Sequence, residues 1–398
     1  MVRAAYGIFY DAGIFNINVF PRFNPPFYDL AYYPNSGSDT IQNILSQAST
    51  AIVEPNMIAR NFRDAYMQQW NADLQYEVKP NWMVDLAYVG SKGTHLADVR
   101  DLNQTNPVTG IAPYPQFSSI LYVESGAGSS YNSMQLRSER RVGEGLTFLA
   151  AYTFSKSIDD VSSVFGGSVG SGLPQNSYDP QADRGLSDFN AKHRLVVSSV
   201  YDLPLGRKWM KRPGLGKSVL GSWQAAGILT AQTGSPFTVN LPSSQSGSAI
   251  AAFGNPYRPD LVSNPYVPGP VMANPNPACH TTISQGGLAA DAVNQPTSWF
   301  NTCAFVQPPA GQFGDAGRNI MTGPGMENLD FSMYKNIILR RESHRLQLRG
   351  EVFNLFNHPN FDIPSHVFES PNFGQVLSEN AYGNKPPRQI QLGLKYIF

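Results

Sequence analysis

The chain has 398 residues and a formal net charge of zero, from 29 basic and 29 acidic side chains. That balance gives no electrostatic footing for nucleic acid or for an anionic membrane surface. Charged residues are 15%, aromatics 12%, and there are 35 Gly and 31 Pro, which excludes a helical bundle and suits a many-stranded protein with long loops.

No apolar run approaches the roughly 18 residues of a membrane helix, whereas a barrel crosses with half-polar strands of about ten residues. The opening MVRAAYGIFY lacks a separate apolar core and a cleavage site, so it reads as a strand and not as a signal peptide. In AYMQQWNADLQYEV, Tyr66, Trp70, Ala72, Leu74, Tyr76 and Val78 share one parity, and Gln69, Asn71, Asp73, Gln75 and Glu77 share the other. Side chains alternate across a strand, so this segment has one apolar and one polar face. After Lys79-Pro80-Asn81 comes WMVDLAYVG, with Trp82, Val84, Leu86 and Tyr88 on one face. YNSMQLRSERRV and LTFLAAYTFSK flank Gly143-Glu144-Gly145, a turn signal between strands. HRLVVSSVYDLP, SWQAAGILTAQTG, LDFSMYKNIIL, HRLQLRGEVFNLF and RQIQLGLKYIF follow, giving about ten strands. In YNSMQLRSERRV and SWQAAGILTAQTG neither parity is cleanly apolar.

The links between these strands alternate in length. Those at 11–62, 91–130, 158–192, 234–327 and 357–387 are long, and those at 79–81, 143–145 and 341–343 are short, with an intermediate one at 205–221. All long links therefore fall at one end. A soluble sandwich has no reason for this, whereas outer-membrane barrels combine short periplasmic turns with long extracellular loops. The fold expected is all-β, an antiparallel transmembrane β-barrel. Tyr76, Trp82, Trp223, Tyr396 and Phe398 fall at the short-turn ends and Tyr88 and Phe356 near the others, as aromatic girdles require.

Several segments are long and ordered: NWMVDLAYVGSKGTHL, YNSMQLRSERRVGEGLTFLAAYTFSKSIDD, RGLSDFNAKHRLVVSSVYDLPLG, RGEVFNLFNHPNF, FGQV and PRQIQLGLKYIF. Together they resemble the Oar-like TonB-dependent receptors, outer-membrane transporters that often carry a carboxypeptidase-regulatory-like domain. The resemblance implies a barrel of about 22 strands with a plug inside. Residues 1–398 would then be the C-terminal portion of that barrel, without plug, signal peptide or regulatory-like domain. It further implies contact with the TonB complex only through the missing N-terminal region. The closing Leu394, Tyr396 and Phe398 resemble the signal read by the barrel-assembly machinery.

Catalytic patterns such as H-E-x-x-H, a P-loop or G-x-S-x-G are absent, so no enzyme, cofactor or metal site is expected. The Gly-rich Phe165–Gly172 lacks the strand–helix context of a phosphate cradle and reads as outer loop. DPQADRGLSDFNAKH gathers Asp179, Asp183, Asp188 and His193; carboxylates paired with Arg184, Lys192 and Arg194 are the first reading, ahead of a calcium site. His344, His358 and His366 are scattered rim or loop residues. Cys279 and Cys303 lie in one Pro/Asn-rich segment, which suggests a loop disulfide in an oxidising compartment over two free thiols. Candidates for the lumen-facing set are Asp73, Gln75, Glu77, Asp85, Arg345, Arg349 and Glu351.

The function expected is energy-coupled uptake of a polar ligand of the siderophore, glycan or peptide class, in contact with outer-membrane lipid. The alternative is a stand-alone small barrel acting as a passive pore or as a structural or adhesive protein. A soluble all-β carbohydrate-active protein is disfavoured by the loop asymmetry.

Overall fold

The computed structural model describes residues 1–11, 20–24, 55–117, 119–142, 145–164, 172–204, 221–242, 257–267, 293–309, 311–339, 344–379 and 387–398. Among these, ten long strands run in chain order: β1 (Val2–Tyr10), β2 (Tyr66–Lys79), β3 (Trp82–Asp101), β4 (Leu121–Val142), β5 (Leu146–Asp159), β6 (His193–Asp202), β7 (Trp223–Gln232), β8 (Met326–Ile338), β9 (Arg345–Phe353) and β10 (Gln389–Ile397). Each pairs antiparallel with its sequence neighbour. The sheet is thus an uninterrupted meander, the arrangement that short turns alternating with long loops dictate. Among the described residues it does not close on itself: β1 and β10 end the path and are not paired with each other.

The turns show how the sequence makes these hairpins. Asn81, between β2 and β3, sits at φ 65°, and Gly145, ahead of β5, at φ 88°. Gly accepts that left-handed region freely and Asn tolerates it better than most residues. Between β8 and β9 the Leu339 amide donates to the His344 carbonyl at 2.9 Å, closing the short end.

One link is shorter than its residues suggest. Alternation breaks at Gly90-Ser91-Lys92-Gly93, where the pattern predicts that the strands stop; in the structure β3 runs for 20 residues and β4 for 22. Register shifts between Gly93, Leu96 and Asp98 mark bulges, with His95 at φ 55°. Each bulge adds a residue and flips the pattern, which hides the strand from a parity count. At about 3.3 Å per residue and a 45° tilt, 20 residues rise roughly 45 Å, well past an apolar band of about 25 Å. The extensions of β3 and β4 therefore stand clear of the membrane band and support the loops.

The closely packed core lies in those loops and not between the faces of the sheet. Phe237, Phe300, Phe305, Phe368 and Phe373 are all at most 1% exposed. Phe300 packs edge-on against Phe305 and Phe373, at centroid distances of 5.7 and 5.2 Å. A second cluster joins Val99, Leu121, Val123 and Leu173, with Ile58 and Phe62 against it. Burying a phenylalanine contributes about 1.5–3 kcal/mol, so these clusters hold the described parts of the long links as a folded layer. The sheet itself leaves large apolar side chains outside: Leu74 is 51% exposed, Leu392 82% and Leu394 65%. An exposed apolar surface of that extent needs a nonaqueous neighbour.

On that face Trp70 lies directly opposite Gly90. A Cβ at Gly90 would come within 2.3 Å of the indole nitrogen, so the glycine exists to seat the ring. Gly90→Val is expected to displace Trp70 and cost about 1–3 kcal/mol, the usual range for overpacking. Indole emission from that variant should shift, and its barrel should melt from a folded to an unfolded gel band at lower temperature than the parent.

Candidate functional site: a polar sheet face and a knitted loop layer

Cross-strand pairing carries one face through all ten strands. Asp73 opposes Arg3 and Ala87, Gln75 opposes Asp85, and Asp85 opposes Arg137. The same parity passes along Arg137–Ala151–Val196–Thr230–Asn328. Tyr334, on Asn328's face, opposes Arg349, and Glu351 opposes Gln391. Asp73, Gln75, Glu77, Asp85, Arg345, Arg349 and Glu351 therefore share a single face, opposite Leu74, Leu348 and Leu392.

This face is polar and only partly self-satisfied. Arg349 donates to Gln347 Oε1 at 2.7 Å and lies 5.4 Å over the Tyr334 ring. Tyr334 donates to Glu351 at 3.3 Å. Arg137 pairs with Glu139 at 2.9 Å and not with Asp85, its cross-strand neighbour. Asp73 and Asp85 each hold one buried carboxylate oxygen without a hydrogen-bond partner. Buried acceptors of that kind call for water or for another molecule.

The loop layer is stitched by residues far apart in sequence. Arg258 donates to Asp183 at 2.7 Å, both side chains 6% exposed. The other Asp183 oxygen accepts from the Gln175 amide at 2.9 Å, and Gln175 Oε1 accepts from the Arg258 amide at 2.7 Å. Arg318 binds the Asp159 carboxylate and carbonyl, donates to the Asp183 carbonyl at 2.7 Å, and lies 3.7 Å from Asp188. Gln104 donates to the Gln175 carbonyl and accepts from the Ser177 amide, at 2.7 and 2.6 Å.

The local pairing expected around DPQADRGLSDFNAKH does not form. Asp183 and Asp188 reach Arg258 and Arg318, and Arg184 reaches Asp160 at 2.9 Å. His193 leaves the group altogether, its Nδ1 lying 2.8 Å from the Tyr152 hydroxyl on the apolar face. Among the described residues no three His, Cys, Asp or Glu side chains are placed to hold a metal ion. His344, His358 and His366 are dispersed. His344 stacks on Tyr396, His358 borders an outer groove, and His366 packs by Phe237 in the loop core, where burial lowers its pKa.

A small cavity of about 50 Å³ lies where Asp98, Asp160, Asp188 and Arg318 meet. Asp98 accepts from the Gly126 amide at 2.8 Å, yet burial outweighs that bond and pushes its carboxyl up to about 6. Its folded pKa thus exceeds its unfolded one, and the folded loops hold the proton more tightly. Loop stability should be highest below about pH 4 as far as Asp98 is concerned, and fall as pH rises through 6. Asp98→Asn keeps the acceptor without the charge; protease resistance of the loops should then be flat between pH 4 and 7 and exceed the parent's at pH 7.

Cys303 is disulfide-bonded; Cys279 lies outside the described residues, as does nearly all of Phe165–Gly172. Of the closing signal, Leu394 and Tyr396 sit on the apolar parity of β10, and Phe398, 87% exposed, stacks 5.8 Å from Tyr396. Trp82 and Trp223 lie at the same end, beneath Arg140 at 5.1 Å and Lys335 at 5.3 Å. Those basic groups stand on the apolar parity, and an aromatic face at the membrane edge lets them do so.

Three solved structures share part of the chain path. The outer membrane transporter YddB of Escherichia coli is 11% identical with a TM-score of 0.49, matching 100% of this chain and 38% of its own. FpvA of P. aeruginosa, solved with a pyoverdine–iron complex, is 10% identical with a TM-score of 0.42, matching 100% and 31%. The FrpB iron transporter of Neisseria meningitidis is 12% identical with a TM-score of 0.38, matching 86% and 32%. The chain spans about a third of the length of these proteins. No curated protein matches the sequence. The family described as "Outer membrane beta barrel domain" matches residues 1–391, and with its unbroken antiparallel meander and exposed apolar face the chain belongs to that outer-membrane β-barrel family.

Proposed function

We propose that residues 1–398 form the C-terminal part of the barrel of an Oar-like TonB-dependent receptor, which takes up a polar ligand across the outer membrane. The observation that carries this reading is the open sheet. Among the described residues ten strands end in two that are paired on one side only, and an unpaired edge in lipid leaves backbone groups without partners. Further strands satisfy them in a larger barrel.

In that barrel the face with Asp73, Gln75, Glu77, Asp85, Arg345, Arg349 and Glu351 lines the lumen and grips a plug through polar contacts. The partnerless oxygens of Asp73 and Asp85 are suited to such contacts. The loop layer supplies the ligand-facing rim, and energy delivered by TonB to the N-terminal segments moves the plug. The step is gated binding and release without covalent chemistry. Leu394, Tyr396 and Phe398 engage the barrel-assembly machinery.

The stand-alone pore is the competing reading, and the outer edges of β1 and β10, without a partner strand among the described residues, count against it. Expressed alone, the chain should give no stepwise conductance in a planar bilayer. The full-length product should fractionate with the outer membrane, migrate heat-modifiably and bind the purified periplasmic domain of TonB. Stable channels from the chain alone, with no TonB binding by the full-length product, would favour the pore.

A further inference from the structure

A groove of about 660 Å³ opens on the apolar side of the sheet, at the long-loop end of β5 to β8. Its floor is one cross-strand row: Tyr152 opposes Leu195, Leu195 opposes Ala231, and Ala231 opposes Glu327. These residues stand on the same parity as Leu74, Leu348 and Leu392, the face turned to lipid in an outer-membrane barrel. The walls come from the loop layer, as Trp299, Pro324 and Phe361. Trp299 is fixed by donating Nε1–H to the Thr322 carbonyl at 2.8 Å, so the wall is built and not collapsed. His193 and His358 border the same groove, and Tyr152 holds His193 at 2.8 Å.

Three properties select the occupant. The lining is mainly apolar, so the occupant is mainly hydrocarbon. The floor continues without a break into the lipid-facing surface, so the groove fills sideways from the bilayer and not from the lumen. Its volume falls in the range of single small-molecule sites, about 300–1,000 Å³, which admits an acyl chain and excludes a protein helix. The lining also holds polar residues, His193, Gln232, Thr233, Thr322, Glu327 and His358, which can meet a lipid headgroup.

We propose that this groove is a binding site for one acyl chain of an outer-membrane lipid, seated between the β5–β8 floor and the overhanging loops. The bound chain ties the loop layer to the membrane. The site is independent of the uptake reading, because it faces away from the lumen.

The test uses the full-length protein purified from outer membranes, delipidated in detergent and titrated with dioleoyl phosphatidylethanolamine during native mass spectrometry. The parent should keep a single lipid adduct under conditions that strip the annulus. Ala231→Trp, which fills the floor, should lose that adduct at least tenfold. Ala225→Trp, on the same face of β7 toward the other end, should retain it and reports that a tryptophan on this face is tolerated. Equal adducts in both variants, or none in the parent, would overturn the proposal. So would a protein dimer lost in Ala231→Trp, which would assign the groove to a second copy.

Discussion

Replacing Arg258 with alanine is expected to unfold the loop layer while leaving the strands in place. The guanidinium and the Asp183 carboxylate are both 6% exposed and meet at 2.7 Å. Removing one partner leaves the other charge buried and uncompensated, which costs about 3–5 kcal/mol. The pair also joins residues 172–190 to the segment after 257, so its loss releases two long links together. Protease added to intact cells should cut Arg258→Ala within these loops and leave the parent whole. Because the desolvated charge causes the damage, Arg258→Met combined with Asp183→Asn should recover most of the resistance; the introduced side-chain carbonyl still accepts from the Gln175 amide. If the double variant is as sensitive as the single, the pair acts through shape and not charge.

The second large effect separates the two faces of the sheet. Leu74 and Leu348 are 51% and 43% exposed on the apolar parity. Arginine facing lipid costs roughly 2–4 kcal/mol at the bilayer midplane and less toward the interfaces. Leu74 lies two residues from Tyr76, and Leu348 two from Leu346, which opposes Tyr396, so both stand just inside a girdle. Leu74→Arg and Leu348→Arg should each cost on the order of 2 kcal/mol, the low end of that range, visible as less heat-modifiable protein in the outer membrane. Gln75→Arg, one residue along but on the polar face, should assemble as the parent does. Equal yields of all three would mean that neither face meets lipid, and a loss confined to Gln75→Arg would mean that the faces are exchanged.

The sheet was legible because a strand has a period of two and lipid enforces it. Leu74/Gln75 and Leu392/Gln391 announce their faces from local sequence, and the alternation of short and long links orders the strands. Legibility fails where that pressure ends. Above the membrane band, β3 and β4 continue through bulges at Gly93 and Leu96, and a bulge erases the parity that reveals a strand. The phenylalanine core of the loops joins Phe237, Phe300 and Phe373 across long separations with no repeat. The ion pairs of Arg258 and Arg318 span 75 and 159 residues, so reading Asp183 and Asp188 against their nearest arginine and lysine neighbours chose proximity in sequence over proximity in space. Only His193 gave a local sign, because it begins β6 on the apolar parity.

The polar face was legible as a set, although its incomplete hydrogen bonding was not. Parity places Asp73 and Asp85 beside polar neighbours, yet Arg137, opposite Asp85, turns to Glu139, and Arg3, opposite Asp73, reaches Gln75 at 3.5 Å, so each carboxylate keeps a partnerless oxygen. The proposed contact with a plug would use those oxygens.

Whether these ten strands are one side of a wider barrel is decided by the spacing of its two end strands. In a closed ten-strand barrel β1 and β10 would be antiparallel neighbours about 5 Å apart. In a larger barrel, further strands lie between them. Ala4→Cys on β1 can be combined in turn with Ile390→Cys, Leu392→Cys or Leu394→Cys on β10, all on the apolar parity. With the full-length protein in outer membranes, oxidation is expected to give no intramolecular cross-link between these positions in any combination. A disulfide forming in high yield at one register would contradict the account and make this chain a small barrel closed on itself.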